Sequence, residues 1–139
     1  MPKYKAAIFD VFGTMVDWRT GVANEVATAF AAKDIDIDPF AFADEWRREY
    51  DPAMERVRSG SRGYVRLETL HLENLEAVLA KNGLSAHFAD TEKVALNHAW
   101  EKLPPWPEVP AALAKLKAGM IVAPCSNGSI ALMTRLARF

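Results

Sequence analysis

The chain has 139 residues, half of them hydrophobic, with 17 basic and 18 acidic side chains that leave a formal net charge of -1. That length and apolar content fit one ordinary domain with a real core and exclude a disordered tail, while the balanced charge gives no bulk attraction to nucleic acid or to an anionic membrane. The single cysteine, Cys125, cannot form an internal disulfide, and the apolar stretch near the start is too short for a signal-peptide core or a bilayer span, so a cytoplasmic protein is expected.

Lys5 to Asp10 is a compact apolar run ending on an acid, followed by Gly13-Thr14, the pattern of a buried parallel strand that meets a loop. From about Gly21, the four-residue spacing of Val22, Val26 and Phe30 predicts a helix that the acidic turn of Asp34 to Asp38 stops. Asp38 as N-cap and Pro39 in the first helical position open a second helix through Phe42, Trp46, Tyr50 and Met54, which Pro52 should kink or break. Leu72, Leu75 and Leu79 mark a third helix that Asn82-Gly83 ends, and a fourth runs from about Asp90 to Trp100. The stiff connector Leu103-Pro104-Pro105-Trp106-Pro107 predicts a boundary. Beyond it come a helix with Val109, Leu113 and Leu116, a second apolar strand over Met120 to Cys125, and a last helix with Ile130, Met133 and Leu136. The expected class is α/β, a core over residues 1–16 and 103–139 interrupted by a helical insertion over 17–102.

Asp10-Val11-Phe12-Gly13-Thr14 puts a carboxylate at a strand's carboxyl end, where open parallel sheets bind ligands and where a carboxylate can serve as nucleophile. Taken alone, such an Asp more often merely caps a turn. The second strand shifts the weighing, because it ends in Ser126-Asn127-Gly128, whose hydroxyl and free amides can hold an anion beside Asp10.

These two strand ends resemble the first and second motifs of the haloacid dehalogenase superfamily, an apolar strand ending in Asp-x-x-x-Thr and another ending in Ser or Thr. The resemblance spans the chain and is nearest to the L-2-haloacid dehalogenases. It implies a Rossmann-like parallel-sheet core, incomplete in this chain, with an inserted helical cap. Phosphatases of the superfamily carry a second Asp two positions after the nucleophile to protonate the leaving alcohol, and this chain has Phe12 there. A halide needs no proton, so an aromatic wall at that position suits dehalogenation. The resemblance carries the halide-abstracting role to Arg47, in a Trp46-Arg47 context, with Arg19 as runner-up. It further implies that Asp10 attacks the halogen-bearing carbon of a small (S)-2-haloacid, that water hydrolyses the resulting ester to the (R)-2-hydroxyacid, that Thr14 orients the nucleophile, and that Ser126 binds the substrate carboxylate with Asn127 supporting the loop. No metal and no cofactor are expected, and a homodimer is.

The family's third-motif lysine and its last motif are expected beyond Phe139, so that the 139-residue chain alone would be inactive. Two rivals stand beside the dehalogenase: a phosphatase of the same superfamily, and a non-catalytic interaction module that keeps the cap and half the core. Other features read as structural. Asp34, Asp36, Asp38 and Glu45 mimic a calcium loop but have Pro39 where a glycine is needed. His71, His87 and His98 lack metal-ligand spacing, Cys125 is expected as a buried strand-end thiol, and Trp46, Trp100 and Trp106 as packing residues.

Overall fold

Short polar signals decide where the helices begin. In the computed structural model, which describes residues 4–139, Asp17 caps helix α1 (Trp18–Ala31) by accepting from the Thr20 amide at 3.1 Å. Met1 to Lys3, part of the segment expected to open the core, lie outside the described residues. Asp38 caps α2 (Pro39–Arg48) through the amides of Phe40 and Ala41. Pro52 does break the next stretch, but three residues upstream of itself. A helix running through it would force the proline ring against the carbonyl four residues back, that of Arg48, and Arg48 is where α2 ends. Pro52 instead falls in the first turn of α3 (Tyr50–Arg58), where its missing N–H costs nothing. Helix α4 (Leu67–Lys81) stops at Asn82, with Gly83 at a φ of 71°. Helix α5 (Asp90–Asn97) tightens into a 3-10 turn over His98–Glu101, so the expected fourth helix is two pieces.

The apolar faces of these helices meet in one core. Val22, Val26 and Phe30 of α1, Phe42 and Trp46 of α2, and Leu75, Val78 and Leu79 of α4 are all buried, as the spacing predicts for α1. Phe30 packs on Phe42 and Phe88 with ring centroids 5.0 and 4.9 Å apart.

Strand β1 (Ala6–Phe9) pairs in parallel with β2 (Ile121–Pro124), Phe9 standing opposite Pro124, and the Cys125 amide continues the ladder to the Phe9 carbonyl at 2.7 Å. Helix α6 (Val109–Lys117) precedes β2, and α7 (Ile130–Leu136) follows it, capped by Ser129. The strand expected to be buried is not: Ile8 is 67% exposed, and Ile121 on the paired strand, opposite Ala6, is 69% exposed. Parallel strands are buried only when elements cover both faces. Among the described residues the sheet has two strands, and an apolar cavity of about 430 Å³, lined by Phe9, Val11, Val122 and Met133 among others, opens on it. Cys125 is likewise exposed rather than buried.

The two passages between sheet and helices run side by side. The Asp17 amide donates to the Pro104 carbonyl at 2.9 Å, the Trp106 amide to the Met15 carbonyl at 3.1 Å, and Val16 bridges Pro105 antiparallel. Gly21 lets α1 approach this connector, since a Cβ there would lie 2.8 Å from the Leu103 side chain and 2.9 Å from Pro104. No helix among the described residues is long and apolar enough to cross a membrane.

Candidate active site

The β1 ladder ends at Phe9, which leaves Asp10 as the first residue beyond the sheet, exposed at its carboxyl edge. Gly13 turns the loop back with a φ of 88°, its amide donating to the Val16 carbonyl at 3.0 Å. That turn returns Thr14 to Asp10, and its hydroxyl donates to Asp10 Oδ2 at 2.7 Å. Parallel pairing with β2 puts Ser126-Asn127-Gly128 at the adjacent strand end. Two expected groups are thus neighbours by construction of the sheet.

The loop after β2 is more self-bonded than the sequence suggests. The Gly128 amide donates to Ser126 Oγ at 3.2 Å, so that amide is engaged within the turn rather than open to an anion. The Asn127 side chain reaches across to the cap and donates to the Tyr50 hydroxyl at 2.8 Å. Ser129 caps Leu132 while its hydroxyl donates to Glu68 of α4.

Arg47, at the end of α2, is half-buried rather than fully buried. Its guanidinium lies 4.1 Å from the Tyr50 ring centroid and 6.0 Å from that of Trp18. Among the described residues no carboxylate pairs with it. Arg19 differs: both its forks are engaged by Asp44, at 2.7 and 2.8 Å, and the pair holds the Asp44 carboxyl below its ordinary range. A paired guanidinium has less to offer a leaving halide than an unpaired one.

Phe12 joins an aromatic box centred on Trp100, at 6.2 Å from it, with Trp18 stacked at 5.9 Å, Trp46 edge-on at 5.5 Å and His71 at 4.4 Å. The Trp18 indole also flanks the Asp10 loop, 3.6 Å from where a Cβ on Gly13 would stand. So Trp18 lies between the Asp10 loop and the Arg47 guanidinium. His71 is buried, and desolvation first, with the Arg47 charge second, pushes it down to about 3, so it is a neutral ring at ordinary pH.

A model of haloacid dehalogenase-like hydrolases matches residues 4–139. The chain belongs to that family. Among solved structures, a defluorinating L-2-haloacid dehalogenase aligns at 42% identity with a TM-score of 0.94, over 96% of this chain and 55% of its own. A second L-2-haloacid dehalogenase aligns at 36% and 0.90, over 96% and 57%. The L-2-haloacid dehalogenase of Xanthobacter autotrophicus, at 24% and 0.80 over 96% and 51%, shares the fold, and another structure of that enzyme carries covalently bound chloropropionic acid. The chain therefore spans about half the length of these enzymes. No curated protein matches it. The expected class, a Rossmann-like parallel core with an inserted helical cap, is the one these haloacid dehalogenase folds share.

Sequence reasoning missed Tyr50, Glu68 and His71 as neighbours of the site. Tyr50 had a signal, its spacing of three from Arg47, but it reads as one more apolar position of α2 until the break before Pro52 is placed. Glu68 and His71 share one face of α4 and gave no signal beyond ordinary amphipathicity. Two of the calcium-like acids are occupied elsewhere: Asp38 caps α2, and Glu45 accepts from Asn82 at 3.0 Å. His87 is exposed and His98 bonds Glu101 at 2.9 Å.

Proposed function

We propose that the protein carrying this chain hydrolyses small (S)-2-haloacids to (R)-2-hydroxyacids through an ester on Asp10. The observation that carries this reading is the Thr14 hydroxyl on Asp10 Oδ2, which anchors one carboxylate oxygen and leaves Oδ1 to attack, at a strand end where Phe12 takes the place of a phosphatase's proton donor. In the first step Oδ1 forms a bond to the carbon bearing halogen as the carbon–halogen bond breaks, and the halide leaves with its electron pair. Arg47, unpaired and stacked on Tyr50, receives the charge that develops on it. In the second step water adds to the ester carbonyl of Asp10, the hydroxyacid departs with the original Asp10 oxygen, and a proton is released to solvent. The configuration at carbon inverts once. Covalently bound chloropropionic acid in the Xanthobacter enzyme is in keeping with such an ester. Ser126 and Asn127 are proposed to hold the substrate carboxylate, residues 17–102 to form the cap, and the working protein to be a cytoplasmic homodimer.

A single turnover in heavy-oxygen water, with enzyme in excess over 2-chloropropionate, decides the route. The label should enter Asp10 and be absent from the first hydroxyacid formed. Label in that first product eliminates the ester, and magnesium-dependent phosphate release from an aryl phosphate would favour a phosphatase instead. Asp10→Asn should abolish turnover while leaving the melting temperature in place, because Asp10 is exposed and the change removes little volume.

A further inference from the structure

Tyr50 stands between two residues of the proposed site that belong to different parts of the chain. Its ring lies 4.1 Å beneath the Arg47 guanidinium, and its hydroxyl accepts from Asn127 Nδ2 at 2.8 Å. Arg47 lies in the last turn of α2, which ends at Arg48, and Tyr50 opens α3. A second cap residue holds the other flank of the same loop. Glu68 accepts from the Ser129 hydroxyl, and its remaining oxygen is buried with no partner among the described residues.

We infer that Tyr50 is a positioning residue that couples the halide-accepting arginine of the cap to the carboxylate-binding loop of the core. Each of its two contacts is modest, a cation over an aromatic face and one neutral hydrogen bond. Their value lies in being made by one side chain, so that Arg47 and Asn127 share a frame when substrate lies between them. The inference rests on the dehalogenase reading for its chemical consequence, and on the contacts alone for its mechanical one.

Tyr50→Phe keeps the ring under Arg47 and deletes only the bond to Asn127. In hydrogen–deuterium exchange on the full protein, a peptide covering residues 125–131 should exchange about two- to tenfold faster in this variant, the range expected for one neutral hydrogen bond, while peptides of α4 do not change. Unaltered exchange across 125–131 overturns the coupling, whether or not the protein dehalogenates. The kinetic arm compares 2-bromo-, 2-chloro- and 2-fluoropropionate. A halide with more concentrated charge depends more on a well-placed guanidinium, so the loss of kcat should grow from bromide to fluoride with KM little moved. An equal loss for all three halogens would show a merely structural role and overturn the inference. In an Asn127→Ala background Tyr50→Phe should add nothing, and a full additional loss would show that Tyr50 does not act through Asn127. A wild-type protein that releases no halide from any of the three would sink the dehalogenase reading, leaving the exchange experiment to judge the coupling.

Discussion

The helical cap and the strand pair divide the protein's labour unequally. Phe30, Trp46, Leu75 and Leu79 of the cap are at most 1% exposed, whereas Ile8 and Ile121 of the strands are 67% and 69% exposed and Ile130 at the start of α7 is 88% exposed. Yet Asp10, Thr14, Ser126 and Asn127 all belong to the strand ends, and the cap contributes Arg47 and all of the aromatic box but Phe12. Burial, and with it stability, therefore resides mainly away from Asp10. Among the described residues the two regions are held together by the paired crossovers and by three side-chain hydrogen bonds, Asn127 to Tyr50, Ser129 to Glu68 and Arg135 to Glu101. The well-buried cap is thus bonded to the loop beyond β2, next to a carboxylate that its own sheet leaves exposed.

The hardest test of that division removes the centre of the cap. Trp46 is 1% exposed, packs edge-on against Trp100 and donates its indole N–H to the His71 carbonyl at 2.8 Å. Trp46→Ala should cost roughly 3–5 kcal/mol in urea unfolding, the range for a large aromatic deleted from a packed core. A loss under about 1 kcal/mol would mean that the cap is not where stability lies.

Acid should find the same region next. His71 titrates near its ordinary value of 6.5 when unfolded and at about 3 when folded, so between those values the unfolded chain binds more protons and stability falls as pH falls. Between pH 7 and pH 5 this amounts to roughly 2 kcal/mol, before the carboxylates held low by their partners, Asp44, Glu45, Glu73 and Glu92, begin to protonate. Urea titrations at both pH values should show the loss in the wild type and not in His71→Gln, which cannot titrate. The same slope in both would assign the effect to other groups.

The contrast between regions also governs how much was legible in the sequence. The start of α2 was readable because a cap is a local event, and Asp38 with Pro39 acts within three residues of itself. The role of Thr14 beside Asp10 came from the family resemblance rather than from the loop itself, and the structure has the Thr14 hydroxyl donating to Asp10 Oδ2. Burial of β1 was misread because an apolar run states what a strand tolerates, not what covers it. The bonds from Asn127 to Tyr50 and from Ser129 to Glu68 span 77 and 61 residues, and no periodicity reports on such distances. Arg47 and Arg19 both follow a tryptophan, and only the fold shows that one is paired with Asp44 and the other is not.

The seam between the regions offers a smaller effect. Gly21 is helical, and in an open helix alanine would be favoured by about 1 kcal/mol. Here an added Cβ meets the Leu103 side chain, the Pro104 ring and, at 3.1 Å, the Leu103 backbone, which cannot rotate away. Gly21→Ala should therefore reverse the sign and cost roughly 1–2 kcal/mol, by pushing α1 off the connector. A stabilised variant would show that the crossovers are free to part.

The least effect is expected at Arg19, and its smallness is informative. The bidentate pair with Asp44 has good geometry, but Arg19 is about half-exposed, and a surface pair gives back in side-chain entropy and lost hydration most of what it gains in attraction. Both partners lie on the cap, so breaking the pair neither exposes its core nor loosens a link to the strands. Arg19→Ala should leave the melting temperature nearly where it was and the rate of halide release unchanged, whereas Arg47→Lys should slow the alkylation step far more than it weakens substrate binding, because a compact ammonium cannot replace a planar fork. Single-turnover measurements on the two variants, side by side in the full protein, separate the arginines. Should Arg19→Ala slow carbon–halogen cleavage while Arg47→Lys does not, the guanidinium engaged with Asp44 would be the one that meets the halide, and the unpaired position of Arg47 over Tyr50 would have to serve the cap alone.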